Sequence, residues 1–148
     1  MSELTKPFAT AKFAFIAVIL SLLGIADAVY LTVHHYTGEQ VPCGLTGGCE
    51  MVLSSSYATV YGIPLAFFGA IAYFTAFSLA LLTFFGNYKL WTLFGLQATL
   101  MACFSAWLVY VQAYQIQEFC QFCLVSAGIC FSLFITFVVS KIMKVKLS

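Results

Sequence analysis

Charge is what this chain has least of. Only 11 of its 148 residues are charged at neutral pH, six lysines and five carboxylates, and arginine is absent. That is 7% of the chain, against roughly 25% in an ordinary soluble protein. A net charge of +1 without arginine gives no basic surface for a phosphate backbone, so no nucleic-acid partner is expected. Polar residues are too few for a disordered chain, and prolines number three. What the sequence has instead is apolar residues, at 63%. A chain this short cannot hide so much apolar surface inside a globule, which leaves an integral membrane protein.

Four apolar runs are long enough to cross a bilayer: residues 13–33, 62–85, 90–113 and about 119–140. As helices they measure about 30 to 36 Å, the thickness of a hydrocarbon core. They are apolar on every face, without barrel-type alternation, so helices are the only way to satisfy their backbones in lipid. The expected fold is an all-α bundle of four membrane-spanning helices in a single domain, 1–148. Lys12 and Ala26-Asp27-Ala28 imitate a secretory signal with a cleavage site. The apolar run continues through Val29, Tyr30 and Leu31, so the segment is read as a retained span.

The lysines set the expected orientation. Lys6 and Lys12 precede span one, Lys89 separates spans two and three, and Lys141, Lys144 and Lys146 end span four. With four spans all six fall on one side, which the positive-inside rule makes cytoplasmic. Both termini are then cytoplasmic, and Glu39, Glu50 and Glu118 lie on the opposite side. The long connection from His34 to Tyr61 is also on that outer side. Loops of such length are commonly functional. Trp107, Tyr110 and Tyr114 suit an interfacial aromatic belt, and His34 and His35 suit interfacial anchoring.

Four of the six cysteines belong to the outer side. Cys43 and Cys49 stand in the long loop, and Cys120-Gln-Phe-Cys123 opens span four. Two such pairs fit an oxidising compartment. A Cys-x-x-Cys at a helix N-terminus favours a thiolate, the species that exchanges disulfides. Residues i and i+3 share a helix face, so the two sulfurs can bond. Spacing alone leaves three readings open: a redox relay, two structural disulfides, or a four-thiolate metal site. Cys103 is read as a packing residue in a small-residue stripe with Gly95 and Thr99. Cys123, Ala127 and Cys130 share a face, and Ala127 leaves room beside Cys123 for a flat ring. Asp27, the single charge inside a span, is a candidate proton relay.

The run Cys49-Glu-Met-Val-Leu-Ser-Ser-Ser-Tyr-Ala-Thr-Val-Tyr-Gly-Ile-Pro64, the preceding Cys43, the stretch Tyr30 to Tyr36 and Cys120-Gln-Phe-Cys-Leu-Val-Ser126 resemble the vitamin K epoxide reductase family in its bacterial form. The resemblance covers nearly the whole chain. It implies a four-helix bundle around a membrane quinone, ubiquinone or menaquinone, with no metal. It implies an active-site pair Cys120/Cys123, with Cys123 nearest the quinone, and a loop shuttle pair Cys43/Cys49. Cys49 would exchange with Cys120, and Cys43 with a thioredoxin-fold, DsbA-like donor. Ser55 and Ala127 would lie at the quinone pocket. Many bacterial relatives carry a fused thioredoxin-like domain, and this sequence ends at Ser148, so the donor is expected to be a separate protein. Vertebrate members have a tyrosine where Ala127 stands, which favours simple quinone reduction over epoxide chemistry. The implied location is a bacterial inner membrane, with lipid around the bundle and the cysteines on the periplasmic side.

Overall fold

Four long helices account for nearly all of the regular structure in the computed structural model. It describes residues 2–38, 56, 59–87, 89–117 and 119–147, with side chains from 10 to 143. Helix α1 is Ser2–Thr37, α2 is Leu65–Phe84, α3 is Leu90–Tyr110 and α4 is Gln121–Leu147. A π-helical turn, Val111–Ile116, continues α3. All four helices are long and apolar enough to cross a membrane. The chain is an all-α, multi-pass membrane protein.

Helix α1 packs on α2 and α4, and α3 packs on α4 and α2. The seam of α1 is a run of mostly small buried residues: Thr10, Ala14, Ala17, Ser21, Gly24, Ala28 and Leu31. Their alternating spacing of four and three keeps one stripe facing the partner helices. Small side chains let backbones approach, as lipid-embedded helices require. Gly24 shows how closely. A Cβ there would fall inside the Tyr73 ring of α2, and a Cβ at Gly95 of α3 would meet the Phe137 ring of α4. Near Gly95, Trp91 stacks on Phe94 at 4.6 Å and donates its indole N–H to Ser140 Oγ at 2.8 Å. The outward faces carry exposed Leu23, Leu93, Leu96 and Phe74, the reverse of a soluble bundle.

Local chemistry moves several expected boundaries. Span one extends well beyond 13–33 and stops at Gly38, whose φ of +73° closes the last turn through its N–H to the His34 carbonyl. Span two starts at Leu65 rather than 62. Gly62 to Pro64 instead belong to a hairpin, Thr59–Val60 (β1) against Ile63–Pro64 (β2). Its two central residues, Tyr61 and Gly62, both have positive φ, at 52° and 82°, as a two-residue primed turn demands. Span three does not end at Ala113. The π turn carries it to Ile116, so Tyr114 is helical rather than part of a loop. Span four begins at Gln121, and α2 ends in a turn at Gly86, whose φ is +121°.

A candidate redox site at one end of the bundle

The end of α1, the start of α2, the end of α3 and the start of α4 meet around a cavity of about 830 Å3. That lies within the usual range for a small-molecule pocket. Its wall is mainly apolar, with Phe68, Leu100, Met101 and Phe104 among the lining residues. A few polar groups converge on it: Asp27, His34, Gln97, Gln112, Ser126 and the hydroxyl end of Tyr73.

The two cysteines of α4 hold different places. Cys123, in the first turn, lines the cavity and is half-buried. Cys120 immediately precedes the helix, is fully buried and does not line the cavity. It belongs to a small cluster with Leu31 of α1, Ala66 of α2 and Ile116 of the π turn. Both are free thiols. The Cys120 sulfur stands where a capping side chain normally stands, over the amides of the first turn. A hydrogen bond from the Cys123 thiol and the N–H groups of Cys123 and Phe122 lower its pKa to about 7, against burial and the nearby Asp27, which raise it. The Cys120 backbone N–H donates to Gln112 Oε1 at 3.0 Å, and its carbonyl accepts the Leu124 N–H at 2.9 Å.

One turn below Cys123 the wall continues through Ala127, buried, and Cys130. Cys123, Ala127 and Cys130 therefore share a face, as their spacing predicts. Tyr73 reaches across from α2 between the helices. Its hydroxyl donates to the Ser126 carbonyl at 2.8 Å and lies 2.7 Å from Ser126 Oγ and 3.1 Å from Cys130 Sγ. Asp27 also lines the cavity, and its Oδ2 is buried without a hydrogen-bond partner. His34 does more than anchor an interface. It is half-buried on the cavity wall, its ring 4.3 Å from Tyr30, with Nδ1 buried and unpartnered. Trp107, Tyr110 and Tyr114 are exposed on the outward face, where a belt would place them.

Cys103 overturns the expectation that it packs. It is exposed, on the side of α3 away from the bundle, although Gly95 in the same stripe is buried. Cys43, Cys49 and Ser55 lie outside the described residues. Among the described residues no three metal-ligating side chains converge. Sequence reasoning missed Tyr73 and Gln112. Tyr73 has no local signal, but Gln112, like Gln97, is a carboxamide inside an otherwise apolar span, and that was legible.

Residues 15–138 match the vitamin K epoxide reductase family. The chain belongs to that family. It is also 36% identical over 118 residues to thiol-disulfide oxidoreductase LTO1 of Arabidopsis thaliana, an alignment covering 73% of this chain. The chain spans about a third of that relative's length, 31%. The chain is thus a multi-pass membrane member of the vitamin K epoxide reductase family. A cysteine pair with one sulfur on the wall of an apolar cavity and the other buried behind it is an arrangement suited to thiol–disulfide chemistry.

Proposed function

We propose that this chain is a protein dithiol:quinone oxidoreductase that supports disulfide formation. Electrons pass from a reduced thioredoxin-fold, DsbA-like protein through Cys43/Cys49, then through Cys120/Cys123, to ubiquinone or menaquinone. The setting proposed is a bacterial inner membrane, with the cysteines facing the periplasm. The observation that carries the reading is the division of labour in α4. Cys123 faces an apolar cavity large enough for a quinone ring, and Cys120 is an acidic thiol set back from it.

The steps balance as exchanges. The donor thiolate attacks Cys43 of the loop disulfide and releases the Cys49 thiolate. The donor's second thiolate then attacks the donor sulfur of that mixed disulfide, which closes the donor's own disulfide and frees the Cys43 thiolate. Cys49 attacks Cys120 of the Cys120–Cys123 disulfide, and Cys123 leaves as a thiolate. Cys43 then resolves the Cys49–Cys120 bond and restores the loop disulfide. The Cys120/Cys123 dithiol gives two electrons to the quinone, which takes up two protons, and the Cys120–Cys123 disulfide re-forms. Stabilising the Cys120 thiolate stabilises the reduced pair and makes its disulfide a better oxidant. The pair has to be oxidising. A DsbA-like donor sits near −120 mV, and a structural disulfide below about −300 mV would stop the electrons.

A trapping experiment tests the exchange. In Cys43→Ser/Cys123→Ser both resolving sulfurs are gone. Mild oxidation with oxidised glutathione is expected to yield a Cys49–Cys120 disulfide in non-reduced peptide maps. Two cysteines that never bond to each other would break the relay at its middle step.

Asp27 is the proposed proton carrier, because an unpartnered carboxyl oxygen beside the cavity can deliver a proton to a reduced ring. Asp27→Asn is expected to slow quinol formation about a hundredfold, the lower range for a positioned general acid. Donor oxidation in a single turnover should be unchanged. An Asp27→Asn variant that reduces quinone at full speed would remove the carboxyl from the mechanism.

A further inference from the structure

Gln112 makes a contact at the cysteine site that the mechanism above leaves unused. It is buried, in the π turn, eight positions before the cysteine whose N–H it accepts. A backbone N–H can only donate, so the carbonyl oxygen of the Gln112 side chain must be the end that meets Cys120. The chain between them ends the π turn at Gln117, with φ of +61°, and folds back. The Gln112–Cys120 bond closes that reversal. π turns inside α-helices are frequent at functional sites. Here the turn brings Gln112 and Ile116 to Cys120 together.

We propose that Gln112 is a positioning residue for Cys120. By holding the Cys120 peptide, it keeps the sulfur over the first amides of α4 and so maintains a reactive thiolate. This rests on the relay reading only in giving that thiolate a use. The Cys120 N–H is buried, and a buried donor without an acceptor is costly enough to make the turn shift. Such a shift would draw the sulfur off the Phe122 and Cys123 amides. The titratable groups around Cys120 are few. Cys123 lies on its own helix, and Asp27 and Tyr30 lie on α1. Ala66 from α2 and Ile116 from the π turn bring none.

The test follows Cys120 by peptide mapping, which separates it from exposed Cys103 and the other thiols, and needs no quinone. In a Cys123→Ser background, with a hydroxyl to replace the Cys123 donor, the rate of Cys120 alkylation is measured against pH. It is expected to rise through about pH 7 and level off, because only the thiolate reacts. Adding Gln112→Met, which keeps volume and removes the oxygen acceptor, should move the midpoint up by about one unit and slow alkylation at pH 7 about fivefold. If that variant does not insert, Gln112→Asn withdraws the carbonyl by one methylene and should give the same shift. Val111→Ala loosens the same turn without touching the bond and should leave the midpoint in place. A Gln112 variant whose profile overlays its parent, or a Val111→Ala shift of equal size, would overturn the proposal. A wild-type protein that fails to reduce quinone would sink the relay and leave this measurement valid.

Discussion

Ala127→Trp is expected to raise the quinone KM by about a hundredfold, some 2.7 kcal/mol of binding, and to leave the donor half of the reaction intact. Ala127 is 6% exposed on the cavity wall, one turn below Cys123. An indole there would project into the space a quinone ring needs. The cavity of about 830 Å3 gives the ring room on the open side of Ala127, away from the core residues Ile129 and Leu133. The effect should therefore fall on binding rather than on folding. A raised KM with kcat near its original value is the signature of lost uniform binding. Single-turnover oxidation of the donor, which involves only sulfur exchange, should keep its rate. Steady-state kinetics with a short-chain quinone checks both halves. An unchanged KM would place the quinone somewhere other than beside Cys123.

How much of this was legible in the sequence depended on the range of each interaction. The four spans could be read because hydropathy over some 20 residues is a bulk property. The closeness of Cys120 and Cys123 could be read because residues three apart meet where a helix begins. So could the shared face of Cys123, Ala127 and Cys130. The span ends were less legible, because turn chemistry set them: a primed turn at Tyr61-Gly62 took residues away from α2, and a π turn added them to α3. The stripe from Thr10 to Leu31 was available in the spacing of small residues, whereas the shorter stripe through Gly95, Thr99 and Cys103 misled. Gly95 takes up the Phe137 ring of α4, but two turns later Cys103 has rotated to the outward face. An α-helical four-residue spacing drifts around the axis, so such a stripe cannot hold one partner for long. Tyr73 was beyond reach. Its value lies in meeting Ser126 and Cys130, 53 and 57 residues away, over a glycine on a third helix. Contacts of that kind exist only once the bundle has formed.

The second large effect is the loss of the sulfur that faces the cavity. Cys123→Ser should depress quinol formation at least about a thousandfold, equivalent to roughly 4 kcal/mol in the barrier. A serine hydroxyl can neither give electrons to the quinone as a thiolate does nor close a disulfide with Cys120. Cys103→Ser, on the outward face, should keep the wild-type rate, which separates the reacting thiol from a general sensitivity to cysteine loss. The direct measurement is anaerobic quinol formation by the purified protein in detergent, with a reduced thioredoxin-fold protein as donor. The proposed relay predicts one quinol formed per donor dithiol oxidised, and no measurable turnover in Cys123→Ser. Donor-resistant disulfides with no quinol from the wild-type protein, or a Cys123→Ser chain turning over at the wild-type rate, would contradict it.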